Sequence, residues 1–140
     1  MSADSCVFCR ILAGDLPSTM LAEEERAVAF MDLSPATPGH LLVVPRTHSP
    51  GLLTVGPDDL AACAALAQKM ARRVRDRLGA TGVNLIQSSG AVAWQTVFHL
   101  HLHVIPRYAD DPLVLPWRPT PGDPDEIAAV AAKLHGSPST

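Results

Sequence analysis

His99-Leu100-His101-Leu102-His103 runs directly into Val104-Ile105-Pro106-Arg107. Three of the chain's six histidines therefore fall within five residues, at a strict spacing of two. Side chains alternate across a β-strand, so the spacing predicts a strand over Val97–Ile105. His99, His101 and His103 would share one face of it, and Leu100, Leu102 and Val104 the other. A half-buried strand needs a polar face but has no need of three imidazoles on it. Imidazole is a metal ligand, a nucleophile and a proton carrier near neutral pH. A solvent-exposed face that happens to be rich in histidine is the weaker reading, because clustered histidines mark chemistry.

Working outward, His40–Pro45 (His-Leu-Leu-Val-Val-Pro) reads as a second strand, bounded by Pro38-Gly39 and Pro45. Thr19–Glu23 and Ala27–Met31 read as a hairpin around Glu24-Glu25-Arg26, and Val83–Gln87 as a further strand. Residues 7–13 form a short helix stopped by Gly14. Leu60, Cys63, Ala67, Met70 and Val74 recur at spacings of three and four, which predicts a long helix over Asp59–Leu78 stopped by Gly79. Its first turn carries Asp58 and Asp59 and its last turns Arg72, Arg73, Arg75 and Arg77, in accord with the helix dipole. A phosphate-binding patch is the rival reading for the arginines, and a solvated helix face the stronger one. The chain from 108 to 122 is proline-rich and extended. Asp123-Pro124-Asp125-Glu126 then opens a terminal helix with a cap, a proline at its first position and two acids. Residues 136–140 should fray. The sum is an α+β domain built on antiparallel strands.

The 140 residues suit one domain, with a core over about 6–107 and an extension over 108–140. A net charge of −3 argues against a nucleic-acid surface of the usual basic kind. No apolar stretch approaches the roughly 20 residues of a membrane helix, and no leader pattern opens the chain, so a cytoplasmic location is expected. Three cysteines make a poor disulfide framework. Cys6-Val7-Phe8-Cys9 has the spacing of a metal knuckle, with imidazoles elsewhere to complete four ligands. A buried apolar pair of thiols stands level with it on spacing alone. Cys63 lies in the long helix's stripe and belongs to the core.

These residues together resemble the histidine triad (HIT) family, whose pattern is His-x-His-x-His followed by apolar residues. Phe30-Met31-Asp32-Leu33-Ser34-Pro35 resembles the family's nucleotide segment. Pro38-Gly39-His40 through Pro45-Arg46-Thr47-His48 resembles its strand and turn, and Gln95-Thr96-Val97-Phe98-His99 its approach to the triad. The likeness runs in order from about Cys6 to Arg107. It implies a five-stranded antiparallel sheet with one long and one or two short helices, in a homodimer that binds a purine nucleotide. It also implies a structural zinc on Cys6, Cys9, His48 and His99. The long helix's stripe could pack across such a dimer's interface as well as inward.

The resemblance further assigns roles at the site. His101 would be the nucleophile on an α-phosphate, forming a nucleotidyl-histidine that water hydrolyses. His103, Thr96 and backbone amides of residues 94–96 would hold the phosphate, and Thr96 could pass a proton to the leaving group. Asp32 would receive ribose hydroxyls, although a turn cap before Pro35 is its plainer reading. Phe8, Ile11, Phe30 and Leu33 would enclose the base, with Ser88 and Gln95 beside the phosphate. His40 would help hold the site, without a proton-transfer role. His103 stands where the family's transferase branch carries glutamine, which favours the hydrolases. Ser88 replaces the usual asparagine, and Trp94 the usual glycine. Trp94 must cover the site as a lid or stand away from it, at a subunit contact. A nucleoside phosphoramidase is the leading reading. A dinucleoside polyphosphate hydrolase and a nucleotide- or zinc-binding module with little turnover are its rivals.

Overall fold

A computed structural model describes residues 5–136. Along the chain come α1 (Val7–Leu12), β1 (Met20–Glu23), β2 (Ala27–Met31), β3 (Leu41–Pro45), α2 (Pro57–Leu78), β4 (Gly82–Ile86), β5 (Leu102–Arg107) and α3 (Pro124–Leu134). The five strands form one antiparallel sheet in the order β1-β2-β3-β5-β4. The expected α+β architecture is therefore present. The expected fraying of 136–140 falls almost wholly outside the described residues.

Period-two alternation gives the sheet two buried faces. Ala27, Ala29, Leu41, Val43, Leu102 and Val104 pack against Cys63, Leu66, Ala67, Met70 and Val74 of α2. The α2 stripe thus packs inward on its own sheet. Val28, Phe30, Leu42 and Val44 point to the opposite face, where Cys6 and Phe8 of the α1 segment cover them. α2 begins two residues before the predicted Asp59, with Gly56 as its cap and Pro57 in its first turn, a position that suits a residue without an N–H. It ends at Gly79, in the left-handed conformation at φ 72°. Arg72, Arg73, Arg75 and Arg77 all face solvent, as a solvated face requires.

The histidine strand departs from expectation. β5 starts at Leu102, so His99 and His101 precede it. Leu41, Leu42 and Val43 pair with Val104, His103 and Leu102. Continuing that ladder would set Pro45 opposite Leu100, and proline has no N–H to donate. The Leu100 amide instead donates to the Ser49 carbonyl at 2.7 Å. The alternation itself survives, because Leu102 and Val104 pack toward α2 while His101 and His103 line a cavity on the opposite face.

Gly39 sits where three segments meet. Its φ is +92°, and an added Cβ would lie 2.5 Å from Leu78 Cδ1 and 3.1 Å from Pro106 Cγ. Gly39→Ala is expected to lower stability by about 1–3 kcal/mol, from left-handed strain and the displaced Leu78 side chain. Urea unfolding measures the loss, and an unchanged midpoint would refute the account.

Candidate functional site

The site lies on the α1 face of the sheet and follows from strand register. Phe30 pairs with Leu42, and Leu42 with His103, so these three side chains form a row across β2, β3 and β5. Two residues beyond Phe30 and Leu42, one past the end of the ladder, Asp32 and His40 stand opposite each other, and the Asp32 amide donates to the His40 carbonyl at 3.1 Å. The periodicity of Phe30-x-Asp32, His40-x-Leu42 and His101-x-His103 thus delivers all six to one side. There they line a cavity of about 590 Å³ together with Phe8, Ile11, Leu33 and Thr96. That volume lies in the usual range for a small-molecule site. Phe8 and Phe30 meet edge to face at 5.6 Å, and Phe8 meets His101 at 5.1 Å.

Hydrogen bonds fix which nitrogen of each imidazole carries hydrogen. His101 Nδ1 lies 2.8 Å from the His99 carbonyl, an acceptor only, so Nδ1 is the N–H and Nε2 keeps its lone pair. Burial lowers the pKa of His101, and also of His40, which Asp32 partly opposes. Burial, then the neighbouring His101 and His40, push His103 down to about 4. All three rings are neutral at pH 7. A neutral His101 is a competent nucleophile, whereas an imidazolium has no lone pair to offer.

A second cluster lies at the start of α1. Cys6 caps that helix, its sulfur accepting the Cys9 amide at 3.4 Å. His99 Nε2 donates to the Pro45 carbonyl at 2.9 Å, which leaves Nδ1 as the free ligand atom. His99 Nδ1 lies 3.4 Å from Cys6 Sγ, 3.5 Å from Cys9 Sγ and 3.2 Å from His48 Nδ1, and His48 Nδ1 lies 3.4 Å from Cys9 Sγ. A tetrahedral zinc would space sulfur and nitrogen about 3.5 Å apart and two nitrogens about 3.3 Å apart. The observed edges match, and all four ligand atoms lie within 4.8 Å of one another. Burial pushes the Cys9 thiol up to about 11, with Cys6 adding to the shift. A bound cation would reverse that, since it favours thiolate. The residues fit a zinc ion.

Other expectations need correction. Gln95 is buried but does not line the cavity. Its Nε2 donates to the Pro50 and Val97 carbonyls at 2.6 and 3.0 Å, and its Oε1 accepts the Gly90 amide at 2.7 Å. It braces the loop before the triad and has no group left for phosphate. The amides of Trp94 and Gln95 bond to the Ala91 and Gly90 carbonyls, which removes them as phosphate donors. Ser88 lines a different groove, of about 670 Å³, along β4. Trp94 lines that groove too and is 73% exposed, so it stands away from the cavity and is not a lid. Its φ of 74° is the left-handed conformation expected of glycine at this place. His40, expected to help hold the site, contacts His103 and Asp32. Its signal was the shared period with Leu42.

A family profile for the HIT domain matches residues 13–110. Adenosine 5'-monophosphoramidase hnt1 of Schizosaccharomyces pombe is 33% identical over 131 residues, covering 93% of this chain and 96% of that one. The crystal structure of SMU.412c from Streptococcus mutans superposes with a TM-score of 0.89 at 36% identity, covering 95% of this chain and 85% of that one. A Zn-bound histidine triad family protein from Mycobacterium smegmatis superposes with a TM-score of 0.77 at 40% identity, covering 95% of this chain and 97% of that one.

The neutral histidines make stability depend on pH. Unfolded His103 binds a proton below about pH 6.5, and folded His103 only near pH 4. The unfolded state therefore holds more protons across that window, and stability falls as pH falls through it. His40 and His101 shift in the same direction. Urea unfolding at pH 7 and pH 5 should show the loss, and His103→Asn should show a smaller one. Equal losses in the two proteins would exclude His103 as a source.

Proposed function

The chain belongs to the HIT family, and from that premise we propose that it is a nucleotide hydrolase acting at the α-phosphate of purine nucleoside phosphoramidates. The observation that carries this reading is the bond from His101 Nδ1 to the His99 carbonyl at 2.8 Å, which reserves Nε2 as a nucleophile on a cavity-lining ring. The similarity to a phosphoramidase along nearly the whole chain supports the substrate class.

In the proposed reaction the His101 Nε2 lone pair forms a bond to the α-phosphorus, and the bond from phosphorus to the leaving nitrogen breaks. That nitrogen departs with its electron pair and takes the proton of the Thr96 hydroxyl, which a proton from solvent replaces. Thr96 is exposed on the cavity and makes no hydrogen bond among the described residues. Water then attacks phosphorus and gives up a proton to solvent, the bond to Nε2 breaks with its electron pair returning to the His101 ring, and the nucleoside monophosphate leaves. The covalent step divides one hard displacement into two easier ones. His103 and the Thr96 hydroxyl supply donors to the phosphate oxygens, where charge grows in the transition state. Asp32 receives the ribose hydroxyls, and Phe8, Ile11, Phe30 and Leu33 border the base. Zinc on Cys6, Cys9, His48 and His99 would be structural, tying the start of α1 to the strand ends.

A homodimer is part of the same proposal. Val83, Leu85 and Ile86 of the edge strand β4 are exposed, as are Trp94, Val114 and Trp117 along the adjoining groove. An open, apolar strand edge of this kind is a pairing surface.

His101→Ala should abolish turnover of adenosine 5'-phosphoramidate while AMP binding stays within about threefold, since one imidazole gives up only a modest share of the contacts. Mass spectrometry of the quenched wild-type reaction should find an adenylyl adduct on His101. Unchanged turnover in the variant would refute the mechanism.

Elemental analysis should find one zinc per chain. Chelation should remove hydrogen-exchange protection from residues 7–12 before that of β2 and β3, because the ion anchors α1. Metal-free protein with both thiols open to alkylation would exclude the site.

Light scattering at micromolar concentration should give a dimer mass, and Trp94→Gly should weaken the dimer while relieving strain of about 1 kcal/mol in each chain. A monomeric wild type would exclude the proposed assembly.

A further inference from the structure

Four titratable side chains crowd the phosphate end of the cavity, and the proposed chemistry uses three of them. His40 is the fourth. Its ring is almost wholly buried, at 5% exposure, so each of its nitrogens needs a defined partner. The backbone amide of Ala36 points at His40 Nδ1 from 2.9 Å. An amide N–H can only donate, so Nδ1 holds a lone pair and the hydrogen of the neutral ring sits on Nε2. His40 Nε2 lies 2.9 Å from His103 Nδ1 and 3.4 Å from Asp32 Oδ2. The shorter contact goes to His103, which makes His103 Nδ1 an acceptor and leaves the His103 hydrogen on Nε2.

The charged and titratable groups around His40 agree with this order. Asp32 faces it from the end of β2, and His103 from β5, with His101 in ring contact with His103 at 5.0 Å. The Asp32 carboxylate is itself partly committed, its Oδ1 accepting the Ser34 amide at 2.7 Å. Burial keeps His40 and His103 neutral in spite of that carboxylate.

We propose that His40 is a positioning residue, held by the Ala36 amide as its Nε2–H tautomer, which in turn holds His103 as the tautomer that offers Nε2–H to the ligand's phosphate. This rests on the phosphate-binding role proposed for His103. The direction of the relay is set by a backbone group, which cannot titrate or change rotamer. The phosphate then meets a donor oriented before it binds, with no ring to turn over in the reaction.

The same three side chains could also be read as a cation site, since Asp32, His40 and His103 bring ligand atoms within 4.8 Å of one another. The Ala36 amide argues against it. A metal on His40 Nε2 needs that nitrogen's lone pair, which would move the hydrogen to Nδ1 and set it against the Ala36 N–H, donor to donor.

The test is nitrogen-15 NMR of the histidine rings in the full-length protein without ligand. Wild-type His103 should show a protonated Nε2 and an unprotonated Nδ1. In His40→Leu the two His103 tautomers should mix. His40→Gln, which keeps a donor near the Nε2 position, should restore the wild-type pattern. With adenosine 5'-phosphoramidate, kcat should fall about tenfold in His40→Leu, the worth of one hydrogen bond, with a smaller change in KM, and should recover to within about threefold in His40→Gln. A wild-type His103 protonated on Nδ1 would overturn the proposal. So would a His103 tautomer and kcat unmoved in His40→Leu, or a second zinc ion bound in wild type and lost in that variant. If the protein cleaves no phosphoramidate, the hydrolase reading fails, while the NMR measurement still decides the role of His40.

Discussion

The hydrogen bond from His99 Nε2 to the Pro45 carbonyl, 2.9 Å long and fully buried, joins the two halves of the site. Proline at 45 has no N–H with which to extend the β3–β5 ladder, and its carbonyl lies outside that ladder. His99 takes that carbonyl, and in doing so turns Nδ1 toward Cys6, Cys9 and His48. The backbone carbonyl of the same residue receives His101 Nδ1–H. One residue therefore orients the cysteine cluster with its side chain and the His101 ring with its main chain. Phe8 lies between them, 5.8 Å from the His99 ring and 5.1 Å from that of His101. Displacing α1 would disturb both clusters at once.

Burying imidazoles is costly unless each nitrogen is satisfied, and the fold meets that demand largely with backbone groups. Pro45 and His99 supply carbonyls and Ala36 an amide, so the tautomers follow from the path of the chain. Neutrality follows from the same burial. Desolvation is the largest cause of the downward shift at His40, His99, His101 and His103 alike. Two charged rings among these would repel each other at ring separations near 5.0 Å. The site is thereby suited to lone-pair donation and neutral hydrogen bonding, and poorly suited to strong acid catalysis.

Much of this was legible in the sequence, for reasons that individual residues make plain. The alternation of Val28, Phe30, Leu42 and Val44 with Ala27, Ala29, Leu41 and Val43 fixes the faces of the sheet. The spacing of Asp32, His40, His101 and His103 relative to those residues places them on the α1 face. The clustering of Cys6 and Cys9 with His48 and His99 was legible only through the family pattern, because nothing local links Cys9 to His48 across 39 positions. The roles of Ser88 and Gln95 were misjudged because proximity in sequence does not say which way a side chain leaves a loop. Gln95 had three backbone groups within reach and turned to them. The relay through His40 was not legible either. It depends on one amide, that of Ala36, whose direction is a product of the Pro35–Pro38 turn.

Trp94 shows how local strain and assembly are linked. A bulky residue at φ 74° costs on the order of 1–3 kcal/mol, and the folded chain gains little in return, because the indole is 73% exposed. The backbone path demands the left-handed conformation here, since it carries the chain from the single helical turn at Ala91–Ala93 toward Gln95. Glycine would follow that path without strain. Covering an indole removes roughly 150–250 Å² of surface from water, worth on the order of 4–6 kcal/mol at about 25 cal/mol per Å². Even with a quarter of that already realised, the remainder outweighs the strain. The balance favours tryptophan only when another surface covers the groove that Trp94, Leu85 and Trp117 border. A residue poorly suited to the monomer is thus well suited to the proposed dimer, and it lies in the same short loop as Thr96, so the covering surface would also stabilise the loop that presents the Thr96 hydroxyl to the cavity.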